Sequence, residues 1–190
     1  HSQFFSGINN YTPHLDEIAS KGRVFTNFIS NGFTTEHGLI AFFTGKFPIP
    51  GIKESQYNFF SDSFKGYYHL PDTLPKILSR NGYYSEFLTS GHLGFSNKGE
   101  WLTKIGFDYI EGHDADTYKG SKRFHFQAAP DNVLYKRVLE RLRHKKQAPY
   151  FIAIETVSTH LPFIDPVTET KSESLAVGFA DNALGGFYND

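Results

Sequence analysis

Helix and strand patterns alternate along this chain, and the alternation predicts an α/β fold: a mostly parallel sheet covered by helices on both faces, incomplete at both ends. Three observations carry that expectation. Residues 11–22 and 70–82 are amphipathic stretches punctuated as helices at each end. Asp131–Lys146 is a longer helical pattern with Leu134, Val138 and Leu142 on one row and Tyr135 and Leu139 on the next. Tyr83–Ser90 and Tyr150–Ile154 read as strands, the second of the continuous apolar kind that is buried on both faces.

In chain order, Thr12 is the expected N-cap of the first helix, with Pro13 at its first position and Asp16 and Glu17 in its first turn. Leu15, Ile18 and Ala19 make its apolar stripe, and Gly22 closes it. Arg23–Ile29 alternates Val24, Thr26 and Phe28 against Phe25, Asn27 and Ile29, the pattern of a strand. Residues 30–45 then read as a loop running into a short buried helix. Gly32 permits a turn, Thr34 and Thr35 sit at the junction, and Gly45 ends the helix after the apolar run Leu39–Phe43. Lys46–Gly66 is rich in Pro, Gly, Ser and aromatic residues and is expected to be a surface excursion. In the next helix Asp72 is the expected cap, Leu74, Ile77 and Leu78 the stripe, and Asn81-Gly82 the stop. A short helix is expected over Trp101–Phe107 and another from Leu175 to Asp190. Lys136, Arg137, Arg141, Arg143, Lys145 and Lys146 read as a solvated outer face of the long helix, with contact to an anionic surface as the alternative.

Composition narrows the function. The chain has 190 residues, enough for one domain with a core or for part of a larger one. A net charge of −1 gives no electrostatic reason to expect nucleic acid. Cysteine is absent, which excludes disulfides, thiolate metal sites and a Cys nucleophile together. No stretch approaches the ~20 apolar residues of a membrane span. The chain starts at His1, contains no Met and ends in a helical pattern with no stop signal, so it is expected to be a piece of a longer protein.

A hydroxyl held at a helix N-terminus lies where a phosphate or sulfate group is most easily bound. Thr34 and Thr35 therefore mark a candidate nucleophile site, with simple capping as the other reading. The loops carrying Thr35, His92 and His160 all follow expected strands, and in parallel α/β folds such loops converge on one ligand site.

The residues then resemble a known group. Thr12-Pro13-His14-Leu15-Asp16 with Gly22 and Phe25-Thr26-Asn27, Thr34-Thr35 followed by Phe43-Thr44-Gly45, and Leu74-Pro75-Lys76-Ile77-Leu78 with Asn81-Gly82-Tyr83 appear in order. Gly91-His92-Leu93-Gly94, Ile105-Gly106-Phe107-Asp108 and Thr159-His160-Leu161-Pro162-Phe163 complete the series. Together they resemble the sulfatase-like branch of the alkaline phosphatase superfamily, nearest to enzymes of the lipoteichoic acid synthase and phosphoglycerol transferase type. The resemblance makes residues 1–190 a partial catalytic domain, lacking an N-terminal strand and a C-terminal metal-ligand segment.

What the resemblance implies is specific. Thr35 matches the family nucleophile, which in true sulfatases is a Cys or Ser modified to formylglycine and followed by Pro and Arg. Here Thr35-Glu36-His37-Gly38-Leu39 follows instead, and Ser90 stands where sulfatases place a Lys. These departures favour a phosphotransferase or phosphoester hydrolase acting on phosphoglycerol or phosphoethanolamine head groups through Thr35. A sulfuric ester hydrolase and a non-catalytic binding module are the alternatives. An alcohol needs a base or a metal to shed its proton, and a divalent cation such as Mn2+, Mg2+, Zn2+ or Ca2+ is the expected activator. Thr35 would be one of its ligands. The others, an acidic residue and an Asp-His pair, are expected outside this chain, so the piece alone is expected to be inactive.

His92 and His160 match substrate-binding positions, and Lys98 falls near a phosphate-binding Arg. A Lys there supplies charge without the bidentate fork. His113-Asp114-Ala115-Asp116 reads as a polar loop, and Trp101 as core. The expected partners are a phospholipid head group or a phosphorylated or sulfated small molecule or glycan. The expected location is the extracytoplasmic face of the cell membrane or the periplasm, with membrane association through segments outside this chain.

Overall fold

The computed structural model describes residues 2–32, 34–48, 64–144 and 149–190. Three parallel strands form its sheet, in the order β2-β1-β3. The central strand is β1 (Tyr84–Thr89), flanked by β2 (Tyr109–Glu111) and β3 (Tyr150–Glu155). Glu86 lies opposite Tyr109 on one side and Ile152 on the other, and Leu88 lies between Glu111 and Ile154.

Successive side chains of a strand point to opposite faces, and β1 shows what covers each. Phe87 faces a core with Ile40 and Phe43 of α2 (Thr35–Thr44) and with Trp101, Leu102 and Ile105 of α4 (Lys98–Ile105). Leu88 faces the other core, with Leu134 and Val138 of α5 (Asp131–His144). Helix α6 (Glu173–Asn189) packs on α5, and α1 (Pro13–Lys21) packs on α6. The sheet is therefore covered on both faces, as the sequence predicts.

This winding creates a switch point. The chain leaves β1 for α4 on one face and leaves β3 for α6 on the other, although β1 and β3 are neighbours. Loops that diverge from adjacent strand ends open a crevice between them, the place where ligands bind in such sheets.

Several local expectations are corrected. Among the described residues, Arg23–Ile29 pairs with no strand, and Phe25, Phe28 and Ile29 are 71%, 77% and 82% exposed. Alternation alone cannot make a strand where no neighbouring ladder takes its N–H and C=O groups. Of the excursion at 46–66, residues 49–63 lie outside the described residues, and its returning end is core rather than surface. Phe64 is fully buried and stacks on Trp101 at 4.3 Å between ring centroids.

Thr12 makes no capping bond to α1, and its hydroxyl is buried with no hydrogen-bond partner among the described residues. The cap comes from 166 residues away instead: the Asp181 carboxylate of α6 accepts from the N–H of His14 (3.0 Å) and of Leu15 (2.8 Å). Helix α3 (Leu74–Arg80) starts one residue later than expected. Thr73 precedes it and donates its hydroxyl to Ile105 O, while Asp72 pairs with Arg80.

The basic face of α5 is not all solvated. Arg137 binds Glu111 and Arg141 binds Glu86, both carboxylates buried in the sheet. Two buried acids in adjacent strands require counter-charges, and α5 supplies them. Lys145 and Lys146 lie outside the described residues.

Candidate active site

The junction before α2 divides its two threonines. Thr34 has extended backbone and is the N-cap, its hydroxyl accepting from His37 N–H at 3.4 Å. Thr35 becomes the first helical residue. It is exposed, and no hydrogen bond among the described residues holds its hydroxyl. Gly32 matters here through close approach rather than freedom to turn. A Cβ at that position would stand 2.3 Å from Gly38 N, so only glycine lets the incoming loop lie on the first turn of α2. At the other end Gly45 adopts left-handed backbone (φ 64°) and returns its N–H to Ala41 O.

Glu36 ties this turn to the loop after β1, since Ser96 donates its hydroxyl to Glu36 Oε1 at 3.2 Å. That loop carries His92, whose ring folds over Gly94. The Gly94 N–H donates to His92 Nδ1 at 2.8 Å, so Nδ1 is bare and Nε2 carries the proton. His92 thereby offers a donor to an anion. Its ring stacks on His113 at 4.3 Å. Burial holds His113 below the usual imidazole pKa.

His160 lies on the loop after β3 and has the opposite tautomer. Its Nδ1 sits 2.7 Å from the Leu161 carbonyl, which can only accept, so Nδ1 carries the proton and Nε2 is left as an acceptor. Residues 124–127 join the two imidazole loops. His92 N–H donates to Phe126 O at 3.0 Å, and the Phe126 ring packs edge-on against Phe95 (5.1 Å) and His160 (4.8 Å). Thr35, His92 and His160 are thus placed on segments linked through Glu36–Ser96, Phe95–Phe126 and Phe126–His160.

The linking backbone is strained. Ser96 and Asn97, Phe126 and Gln127, and Phe163 all have left-handed φ between 51° and 58° without being glycine. Each such residue costs on the order of 1–3 kcal/mol, and strain of this kind gathers at functional sites.

Lys98 stands apart from the exposed groups. It is 7% exposed, and its ammonium lies 2.7 Å from both oxygens of Glu155. A cation in the first turn of a helix opposes the helix dipole, and Glu155 at the end of β3 offsets it. Asp131, which the sequence shows only as a helix start, holds the His160 loop. It is 1% exposed, and its Oδ1 accepts from Val157 N–H (3.0 Å) and Ser158 N–H (3.1 Å), while its own N–H donates to Ser158 Oγ. Burial raises its pKa, and those hydrogen bonds pull the other way. The signal that could have found it is an Asp after Pro130, a residue that can serve a neighbouring loop as readily as its own helix.

Among the described residues, no group of three or more His, Asp or Glu side chains could hold a metal ion. Thr35 offers a single oxygen, so these residues do not complete a cation site.

Known proteins share this fold. An alkaline phosphatase superfamily protein from Vibrio parahaemolyticus superposes with a TM-score of 0.79 at 24% identity, over 99% of this chain. The lipoteichoic acid synthase LtaP from Listeria monocytogenes superposes with a TM-score of 0.73 at 21% identity, over 95% of this chain. This chain spans 46% of the length of each of those two structures. At these identities the likeness concerns the fold. The family model described as Sulfatase matches residues 1–181, and the chain belongs to the sulfatase family.

Proposed function

We propose that the whole protein is a phosphotransferase or phosphoester hydrolase acting on phosphoglycerol- or phosphoethanolamine-type head groups, with Thr35 as nucleophile and residues 1–190 as part of its catalytic domain. One observation carries the reading. Thr34 takes the capping bond, which leaves the Thr35 hydroxyl exposed and, among the described residues, unbonded at the positive end of α2.

In this reading Thr35 Oγ attacks phosphorus while the P–O bond to the organic alcohol breaks, and the threonine proton passes to water. His92 Nε2–H donates to a phosphoryl oxygen, where charge accumulates in the transition state. The leaving alkoxide takes its proton from water, and His160 accepts through Nε2 a proton from the water or alcohol that cleaves the phosphothreonine, then releases it to solvent. Lys98 reaches the phosphate only if its pair with Glu155 opens. A divalent cation belongs to this reading with ligands beyond the described residues, and no step here is derived through it.

The likeness to the lipoteichoic acid synthase LtaP supports a reaction at the extracytoplasmic face of the cell membrane or in the periplasm. No described helix is long and apolar enough to cross one.

The test is turnover of a nitrophenyl phosphodiester by the whole protein supplied with Mn2+ or Mg2+. Thr35→Ala should lose on the order of a thousandfold or more in kcat, the scale set by removing a covalent nucleophile. Full activity in that variant, or turnover of sulfate esters well above phosphate esters, contradicts the proposal.

A further inference from the structure

All three described strands lead, at their carboxyl ends, into loops that carry an imidazole. His92 follows β1 and His160 follows β3, and the third, His113, stands two residues after β2. The phosphoester reading leaves His113 without a role, yet its surroundings are those of a residue that holds another in place. Its loop is laid directly on the His92 loop, with His113 N–H donating to Gly91 O at 3.0 Å. A Cβ at Gly112 would stand 2.7 Å from Leu93 Cγ and Cδ1, so only glycine allows that approach. The His113 ring then stacks on the His92 ring, with centroids 4.3 Å apart and planes 22° from parallel.

The stack supplies what the hydrogen bond at His92 cannot. The Gly94 N–H fixes one edge of the His92 ring, at Nδ1, and leaves the plane of the ring free to tilt. A flat partner against its face removes that freedom and keeps the Nε2–H aimed one way. The contact works by shape. His113 Nδ1 is buried with no hydrogen-bond partner among the described residues, a cost that an apolar ring in its place would avoid.

We propose that His113 is a positioning residue for phosphoryl transfer, holding the His92 ring so that its Nε2–H meets the phosphoryl oxygen. The inference rests on the phosphoester reading above, in which His92 is that donor, and adds the loop after β2 to the site.

The experiment measures kcat and KM of the whole protein on a nitrophenyl phosphodiester with Mn2+ or Mg2+, in single and double variants. His113→Leu fills similar space without a flat face. It should lose roughly ten- to a hundredfold in kcat while KM changes by less than about threefold, since a misdirected donor is felt most in the transition state. His113→Phe restores the flat face and should recover most of that loss. In a His92→Ala background the His113→Leu change should cost less than about twofold, because a residue that acts through His92 then has nothing to act on. An unchanged kcat in His113→Leu, an equal loss in His113→Phe, or an undiminished loss in the His92→Ala background overturns the proposal. So does full activity in His92→Ala, or failure of His113→Leu to fold. Those outcomes leave Thr35 as the nucleophile, whereas failure of the unaltered protein to turn over the diester overturns both.

Discussion

Two regions of this molecule gather ionisable side chains into clusters, and they treat them in opposite ways. Under α5 the sheet face is closed. Arg141 grips the fully buried Glu86 through both carboxylate oxygens and lies over the Tyr109 ring at 3.8 Å. Glu111 takes hydrogen bonds from Arg137, Tyr109 and Tyr118. At the carboxyl ends of the strands the groups are open: a helix-terminal hydroxyl without a partner among the described residues, an imidazole with a spare donor and another with a spare acceptor. A closed network stabilises a fold, whereas an open one can bind and react only with something that comes from outside. The difference locates function without reference to residue type, since acids, bases and rings occur in both regions.

The comparison can be broken first at its closed end. Glu86→Ala strands Arg141 over the sheet and should cost about 3–5 kcal/mol, as removal of one partner of a buried ion pair does. Urea-denaturation midpoints of the whole protein read this directly. A cost below 1 kcal/mol would show that the network is not the closed structure described. A finer test uses acid. Burial pushes the Glu111 carboxyl up, but the Arg137 and tyrosine hydrogen bonds outweigh it and hold its pKa below the ordinary value of 4.5. Its stabilisation is therefore present above that value and is lost as pH falls through the lower folded-state value. Glu111→Gln should flatten the decline of the denaturation midpoint below about pH 4.5. An unchanged acid limb would contradict the assignment. The smallest effect is expected outside both regions. Phe28 is 77% exposed, and Phe28→Ser should shift stability by no more than about 0.5 kcal/mol.

What the sequence revealed follows the range of the interactions concerned. Helices α1 and α5 are legible because Pro13, Gly22 and the Leu134–Val138 row act within one or two turns of themselves. The capping of α1 by Asp181 is not, because nothing near Thr12 signals an acid on a distant helix. The same limit hid the burial of Arg137 and Arg141, whose partners Glu86 and Glu111 lie on other elements. Arg23–Ile29 and Tyr83–Ser90 read alike as strands, and among the described residues only the second has neighbours on both sides to complete it. At the candidate site, local pattern indicated a hydroxyl at a helix start and two loop histidines. The division of labour between Thr34 and Thr35, the two tautomers, and the support from Asp131 depend on backbone geometry that no spacing encodes.

The central claim is that residue 35 carries the reactive oxygen. Rapid acid quench of the whole protein turning over a phosphodiester, followed by peptide mass analysis, tests it most directly. The account predicts a phosphoryl-bearing adduct on Thr35 that vanishes in Thr35→Ala together with turnover. Undiminished turnover with the modification on another residue, or with none on any residue, would contradict it.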